Sequence, residues 1–136
     1  MTIDVKKNAI DIGIIAKDIE AMMGFYGEVL GLEFEAAIEM PGGGTMNRFK
    51  VGDSVIKVIE LDPAAPSDAA PGGIRGASGY RYWTITVGNL EDCVAKAGDA
   101  GAKIVVPAKE VRTGVTIAII EDPDGNWVEL LEIDAS

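Results

Sequence analysis

The 136-residue chain contains no histidine and a single cysteine, Cys93. The commonest metal ligand, the commonest general base and every Ser-His or Cys-His nucleophile are thereby removed. What remains for chemistry is carboxylate, ammonium and phenol. Asp11 and Tyr82 stand 71 positions apart, and Lys57 and Glu129 stand 72 apart, so these four form two repeat-equivalent pairs. A desolvated lysine or a carboxylate can remove a proton next to a carbonyl, and a tyrosine hydroxyl can act as a hydrogen-bonding acid towards the oxygen. Lys57 and Glu129 are therefore read as acid/base residues, with Tyr82 and Asp11 orienting. The competing reading is a purely structural ion pair in which Lys57 compensates Asp11 and Glu129. Charged side chains seldom face an enclosed cavity without compensation or use.

The elements that must position these groups are written twice. Residues 9–16, AIDIGIIA, have a strand pattern, and Asp18 then stands as N-cap before Ile19, Met22, Phe25, Tyr26 and Val29 at helical spacing, with Gly31 as the stop. Residues 80–87, YRYWTITV, form the second such strand. Asn89 is its N-cap and Asp92 takes the capping-box position; Leu90, Cys93, Val94 and Ala97 share one face, and Gly101 is the stop. The caps lie 71 residues apart and the stops 70 apart, which marks an internal repeat.

Three strand-like runs follow each helix, at 32–39, 45–51 and 55–61 and again at 103–107, 115–120 and 127–133. Turn signals separate them: PGGG at 41–44, Gly52-Asp53, and DPDGN at 122–126. Each half thus reads as βαβββ, with module 1 over 1–61, a Pro/Ala/Gly-rich linker over 62–79 and module 2 over 80–136, in one domain. The fold class is α+β. A helix covers one face of each sheet, so two modules are expected to join their free faces as a cup-shaped half-barrel around a shared cavity, within one chain or between two. Strand alternation sends Tyr82 to the cavity side with Tyr80, Thr84 and Thr86, and Asp11 with Gly13 and Ile15, while Trp83, Ile85 and Val87 face the helix.

Composition narrows the partners. Twelve Lys and Arg stand against 22 Asp and Glu, a formal charge of −10. Such a field repels nucleic-acid backbones and anionic lipid and favours neutral or cationic small molecules. No run reaches the ~18 apolar residues of a membrane span. The start MTIDVKK lacks a secretory pattern, and one cysteine permits neither an intrachain disulfide nor a Cys-rich zinc site, so a cytoplasmic protein is expected.

Four segments, DIGIIAKDIEAMMGFYGEVLGLEFE from Asp11, VGDSVIKV from Val51, TITVGNLEDCVAKAGDAGAKI from Thr84 and EDPDGNWVELLE from Glu121, together resemble the vicinal oxygen chelate superfamily. It includes glyoxalase I, extradiol dioxygenases, methylmalonyl-CoA epimerase, fosfomycin-resistance enzymes and bleomycin-binding proteins. The resemblance implies the paired-module fold, a homodimer and a divalent metal held by His or Gln on the first strand, often Glu on the fourth, His on the fifth and Glu on the last. Those positions here hold Asp11, Lys57, Tyr82 and Glu129. Only Glu129 is an ordinary ligand, and a lysine ammonium offers a metal no acceptor. The expectation is no metal and no other cofactor, with Lys57 in the place of the cation. The alternative keeps Asp11, Glu129 and waters around a hard ion such as Mg²⁺.

Four further side chains are candidates for substrate binding: Arg48, at the cavity rim and able to meet an anion; Trp127, which shares a face with Glu129 and could stack on a flat ligand or pack in the core; and Tyr80 and Thr84. PGGG has no following Lys-Ser/Thr or helix, so it reads as a hairpin, with a role for 40–47 as a lid left open. DPDGN has the wrong spacing for a calcium loop and reads as a turn. Cys93 lies on an apolar helix face with no histidine to activate it. Three functions follow: a metal-independent lyase or isomerase acting on a small organic molecule, a drug-sequestering protein of the bleomycin-binding type, and a metal-dependent glyoxalase or epimerase with atypical ligands.

Overall fold

A computed structural model describes residues 2–134. The chain divides into two compact units, Met1–Ser67 and Asp68–Ser136. The first contains β1 (Ile12–Ile15), α1 (Ile19–Gly24), β2 (Glu33–Glu39), β3 (Gly44–Val51) and β4 (Ser54–Leu61). Its sheet order is β1-β4-β3-β2, with β1 parallel to β4 and the other pairs antiparallel. The second contains β5 (Tyr82–Thr86), α2 (Leu90–Asp99), β6 (Lys103–Arg112), β7 (Val115–Glu121) and β8 (Trp127–Ile133), in the order β5-β8-β7-β6 with β5 parallel to β8. Each unit is the βαβββ module expected from the repeat, and the fold is α+β. No helix among the described residues is long and apolar enough to cross a membrane.

In the first unit the Asp18 carboxylate accepts from the Ala21 amide at 3.1 Å, so α1 starts where its cap stands. The helix does not then run uniformly to Gly31. It widens into a π turn over Phe25–Val29, in which the Leu30 amide donates to the Phe25 carbonyl at 2.9 Å. Met22, Phe25 and Tyr26 are all buried against the sheet face formed by Phe49, Ile56 and Val58. Side chains of this size stabilise by about 1.5–3 kcal/mol each on full burial. A Cβ at Gly27 would stand 3.2 Å from the Phe49 ring, so the backbone passes over that ring at a distance suited to glycine. Gly31, at φ 69°, turns the chain out towards β2.

In the second unit Leu90 and Ala97 of α2 are buried, as are Ala118, Ile120, Val128 and Leu130, which the register places on one face of the sheet. The Gly101 stop forms with both of its bonds, Gly101 amide to Gly98 carbonyl at 3.0 Å and Ala102 amide to Ala97 carbonyl at 2.9 Å. The expected capping box does not form. The Asn89 side chain makes no cap bond, and the Leu90 amide donates instead to Glu132 of β8 at 2.8 Å. A carboxylate brought in by tertiary structure thus satisfies the orphan donor.

β6 also departs from expectation, since it continues past Pro107 to Arg112. It is an edge strand, and its register with β7 shifts between Val106 and Lys109, so the donor that proline lacks is not missed there. The boundary between units falls inside the expected linker 62–79, and part of that linker is built: Gly73–Arg75 form a 3₁₀ turn. The two hairpin turns stand as read. Met40 and Gly44 pair across PGGG, while the Asp122 carboxylate accepts from the Asp124 amide at 3.0 Å and the Asn126 amide at 2.9 Å.

Candidate functional site

In the first unit the parallel register sets Gly13 opposite Lys57, and the antiparallel register sets Arg48 opposite Lys57, so the three share the sheet face away from α1. Asp11 stands one residue before β1. One of its oxygens accepts from the Val55 amide at 3.0 Å and from the Lys7 ammonium at 3.0 Å. The Lys7 hydrogen bond chiefly holds the Asp11 carboxyl below its usual range; the Val55 amide and the charges of Lys7 and Lys57 add to this, against some desolvation.

The ion pair on Asp11 therefore comes from Lys7, where the sequence suggested Lys57. Lys7 went unnoticed because its four-residue spacing from Asp11 signals a contact only in a helix, and no helix is present there. Among the described residues no carboxylate closes an ion pair on Lys57. Arg48 lies on the expected face, but its Nε donates to Glu35 at 2.6 Å, and this guanidinium holds the Glu35 carboxyl low. Glu35 sits at a bulge between Phe34 and Ala36, which the strand pattern does not mark.

In the second unit Tyr82 pairs with Trp127 and Thr84 with Glu129, so the four share the face away from α2. The Thr84 hydroxyl donates to Glu129 Oε1 at 2.7 Å, fixing one carboxylate oxygen. Tyr82 is half-exposed and Tyr80, two residues before it, is fully exposed. Trp127 donates through Nε1 to Glu121 at 3.1 Å, and a Cβ on Gly73 would be driven into its six-membered ring. The chain itself packs against the indole where a stacked ligand was envisaged. Arg81, which the sequence did not single out, holds this turn in place. Its Nε donates to the Gly73 carbonyl at 2.6 Å, and its Nη2 to the Ala70 and Pro71 carbonyls at 2.9 and 3.3 Å. An arginine beside a glycine-rich run is the one signal that could have suggested it.

At these positions each unit offers a divalent metal one carboxylate: Asp11 in the first, with one oxygen bonded to the Lys7 ammonium and the Val55 amide, and Glu129 in the second, with one oxygen bonded to Thr84. Lys57, in the first unit, offers no lone pair while charged. Among the described residues no three His, Cys, Asp or Glu side chains are grouped to hold an ion.

The model of the Glyoxalase/Bleomycin resistance protein/Dioxygenase superfamily matches residues 10–130. The chain is 29% identical over 119 residues to the "Probable lactoylglutathione lyase" of Synechocystis sp., covering 85% of this chain and 87% of that protein. A glyoxalase family protein from Bacillus cereus superposes with a TM-score of 0.83 at 17% identity, covering 99% of this chain and 100% of the other. The trypanothione-dependent glyoxalase I of Leishmania major superposes with a TM-score of 0.71 at 20% identity, covering 93% and 87%.

Proposed function

The chain belongs to the Glyoxalase/Bleomycin resistance protein/Dioxygenase superfamily, and from that premise we propose that it is a glyoxalase-like protein acting on a small organic molecule by metal-independent proton transfer, as a lyase or isomerase. The observation that carries this reading is the lysine. Lys57 occupies the register position opposite Gly13, on the face away from α1, where a metal-binding relative would need a lone-pair donor. A charged lysine supplies electrophilic character there without an ion, and a neutral one is a base.

Glu129 is the second acid/base group. With one oxygen bonded to Thr84, its other oxygen is free to exchange a proton with carbon. Tyr82, on the neighbouring strand and two register pairs away on the same face, is the hydrogen-bonding acid for a substrate oxygen. Asp11, Tyr80 and Thr84 orient, and Arg48 meets an anionic group only by sharing its guanidinium with Glu35.

Untagged protein in D₂O with EDTA, mixed with a panel of small carbonyl compounds that includes the glutathione hemithioacetal of methylglyoxal, tests the reading by proton NMR. Isomerisation or exchange at carbon is expected, lost by roughly a hundredfold or more in Glu129→Gln and Lys57→Met at unchanged circular dichroism. Activity untouched in both variants removes these residues from the mechanism. Activity that appears only after Mg²⁺, Zn²⁺ or Ni²⁺ is added sinks the metal-independent reading. A compound bound in stoichiometric amount and released unchanged makes the protein a sequestering one instead.

A further inference from the structure

A groove of about 540 Å³ runs along the first unit between its helix and the edge of its sheet, on the sheet face opposite the one that bears Lys57. Met23 and the half-exposed Phe34 give it an apolar floor, with Phe49 buried beneath, and among the described residues Glu20 and Glu28 are the charged side chains that line it. Phe34 is half-exposed on the edge strand β2 and meets Phe49 edge to face, with ring centroids 5.6 Å apart. The groove owes its depth to local sequence. Gly24 and Gly27 put no side chain into it, and the π turn carries the backbone of Gly27 onto the Phe49 ring.

We propose that this groove binds a small organic cation with an apolar or aromatic body. The sign follows from two carboxylates with no basic side chain in the lining, on a chain of net charge −10. The body follows from Phe34, a half-exposed ring whose quadrupole attracts a cation and whose face offers apolar surface. The groove is open, so it would cover one side of a small molecule and leave the other in water. A bare metal ion does not fit. Glu20 and Glu28 lie eight positions apart, roughly 12 Å at the rise of a helix, too far to chelate one ion. A second copy of the chain would bring the same two carboxylates against these, which like-charge repulsion opposes.

The test is an NMR titration of the full-length ¹⁵N-labelled chain with benzyltrimethylammonium, and with phenylacetate as the anionic counterpart. Saturable shifts are expected at residues 20–28 and at Phe34 and Phe49 with the ammonium only. The double variant Glu20→Gln/Glu28→Gln and the variant Phe34→Ser should each weaken binding by roughly three- to tenfold. Lys57→Met, on the opposite sheet face, should leave it unchanged, which separates this groove from the proposed catalytic residues. Shifts confined to other residues, shifts indifferent to the loss of both carboxylates, or shifts abolished by Lys57→Met overturn the proposal. So does a concentration-dependent change at the same residues without ligand, accompanied by dimer in sedimentation, because the groove would then belong to a second copy.

Discussion

Asp11 has two donors on a single oxygen, and both act on its ionised form. Its folded-state pKa is lowered, as is that of Glu35 beside Arg48. Groups shifted in this direction contribute stability that is fully present above the pKa of the unfolded chain and is lost as pH falls through the folded one. The share of the acid limb that belongs to these two carboxyls should therefore begin near the unfolded carboxylate pKa and extend below it. Asp11→Asn should flatten it while changing stability at pH 7 by the loss of the Val55 and Lys7 contacts alone. Urea midpoints measured from pH 7 to 3 check this, and an acid limb of unchanged slope in the variant would sink the assignment. Cys93 behaves oppositely: desolvation first, then Asp92, raises its thiol pKa, so it should react with a disulfide reagent more slowly than free cysteine at pH 8. Equal rates would show that the thiol is not desolvated. At this scale the sequence was legible where a side chain acts on its own strand or helix. Asp18 as cap and the alternation of Tyr82 with Thr84 are such cases. It was silent where the partner arrives from elsewhere, as Glu132 does at Leu90 and Lys7 at Asp11.

Among the elements, the turn over Trp127 depends most on glycine. Gly73 combines φ 56° with a backbone pressed on the indole, and a Cβ at Gly76 would meet the Pro71 carbonyl. Gly73→Ala should therefore destabilise the second unit by about 2–4 kcal/mol, through strain and displacement of the turn. Arg81→Ala removes the donors to three carbonyls, one partly buried, and should cost about 1–2 kcal/mol. Urea unfolding followed by tryptophan fluorescence reads both, with a red shift from Trp127 expected before the main transition. A Gly73→Ala chain as stable as the parent would mean that the turn does not rest on Trp127. Element types and order followed from apolar period and turn residues, because those signals are local. The misses have one physical origin. Pro107 inside β6, the π turn after Gly24 and the 3₁₀ turn in the linker are each tolerated or demanded by a neighbour distant in sequence: the bulged edge, Phe49 and Trp127 respectively.

For the molecule as a whole, the repeat legible in spacing is also a repeat in register. β1 meets β4 with Gly13 opposite Lys57, and β5 meets β8 with Thr84 opposite Glu129, so the lysine and the glutamate occupy equivalent places in the two units. The substrate was not legible, since equivalent backbone positions carry unlike groups and the family holds many chemistries on one fold. Charge, by contrast, is a property of the whole chain. Twelve cations against 22 anions leave a self-repulsion that opposes compaction, while the pairs made by Lys6, Lys7, Arg48 and Lys50 are short-range and partly or largely exposed. Raising ionic strength from 10 to 150 mM shortens the screening length from roughly 30 to 8 Å. Repulsion between distant carboxylates is screened more than contact pairs a few ångströms long. The thermal midpoint at pH 7 should thus rise with NaCl, by roughly 3–5 °C if about 1 kcal/mol of repulsion is removed. Differential scanning calorimetry at the two salt concentrations decides it. A midpoint that falls instead would mean that the few ion pairs outweigh the net charge, and that Lys7-Asp11 and Arg48-Glu35 stabilise the first unit more than their exposure suggests.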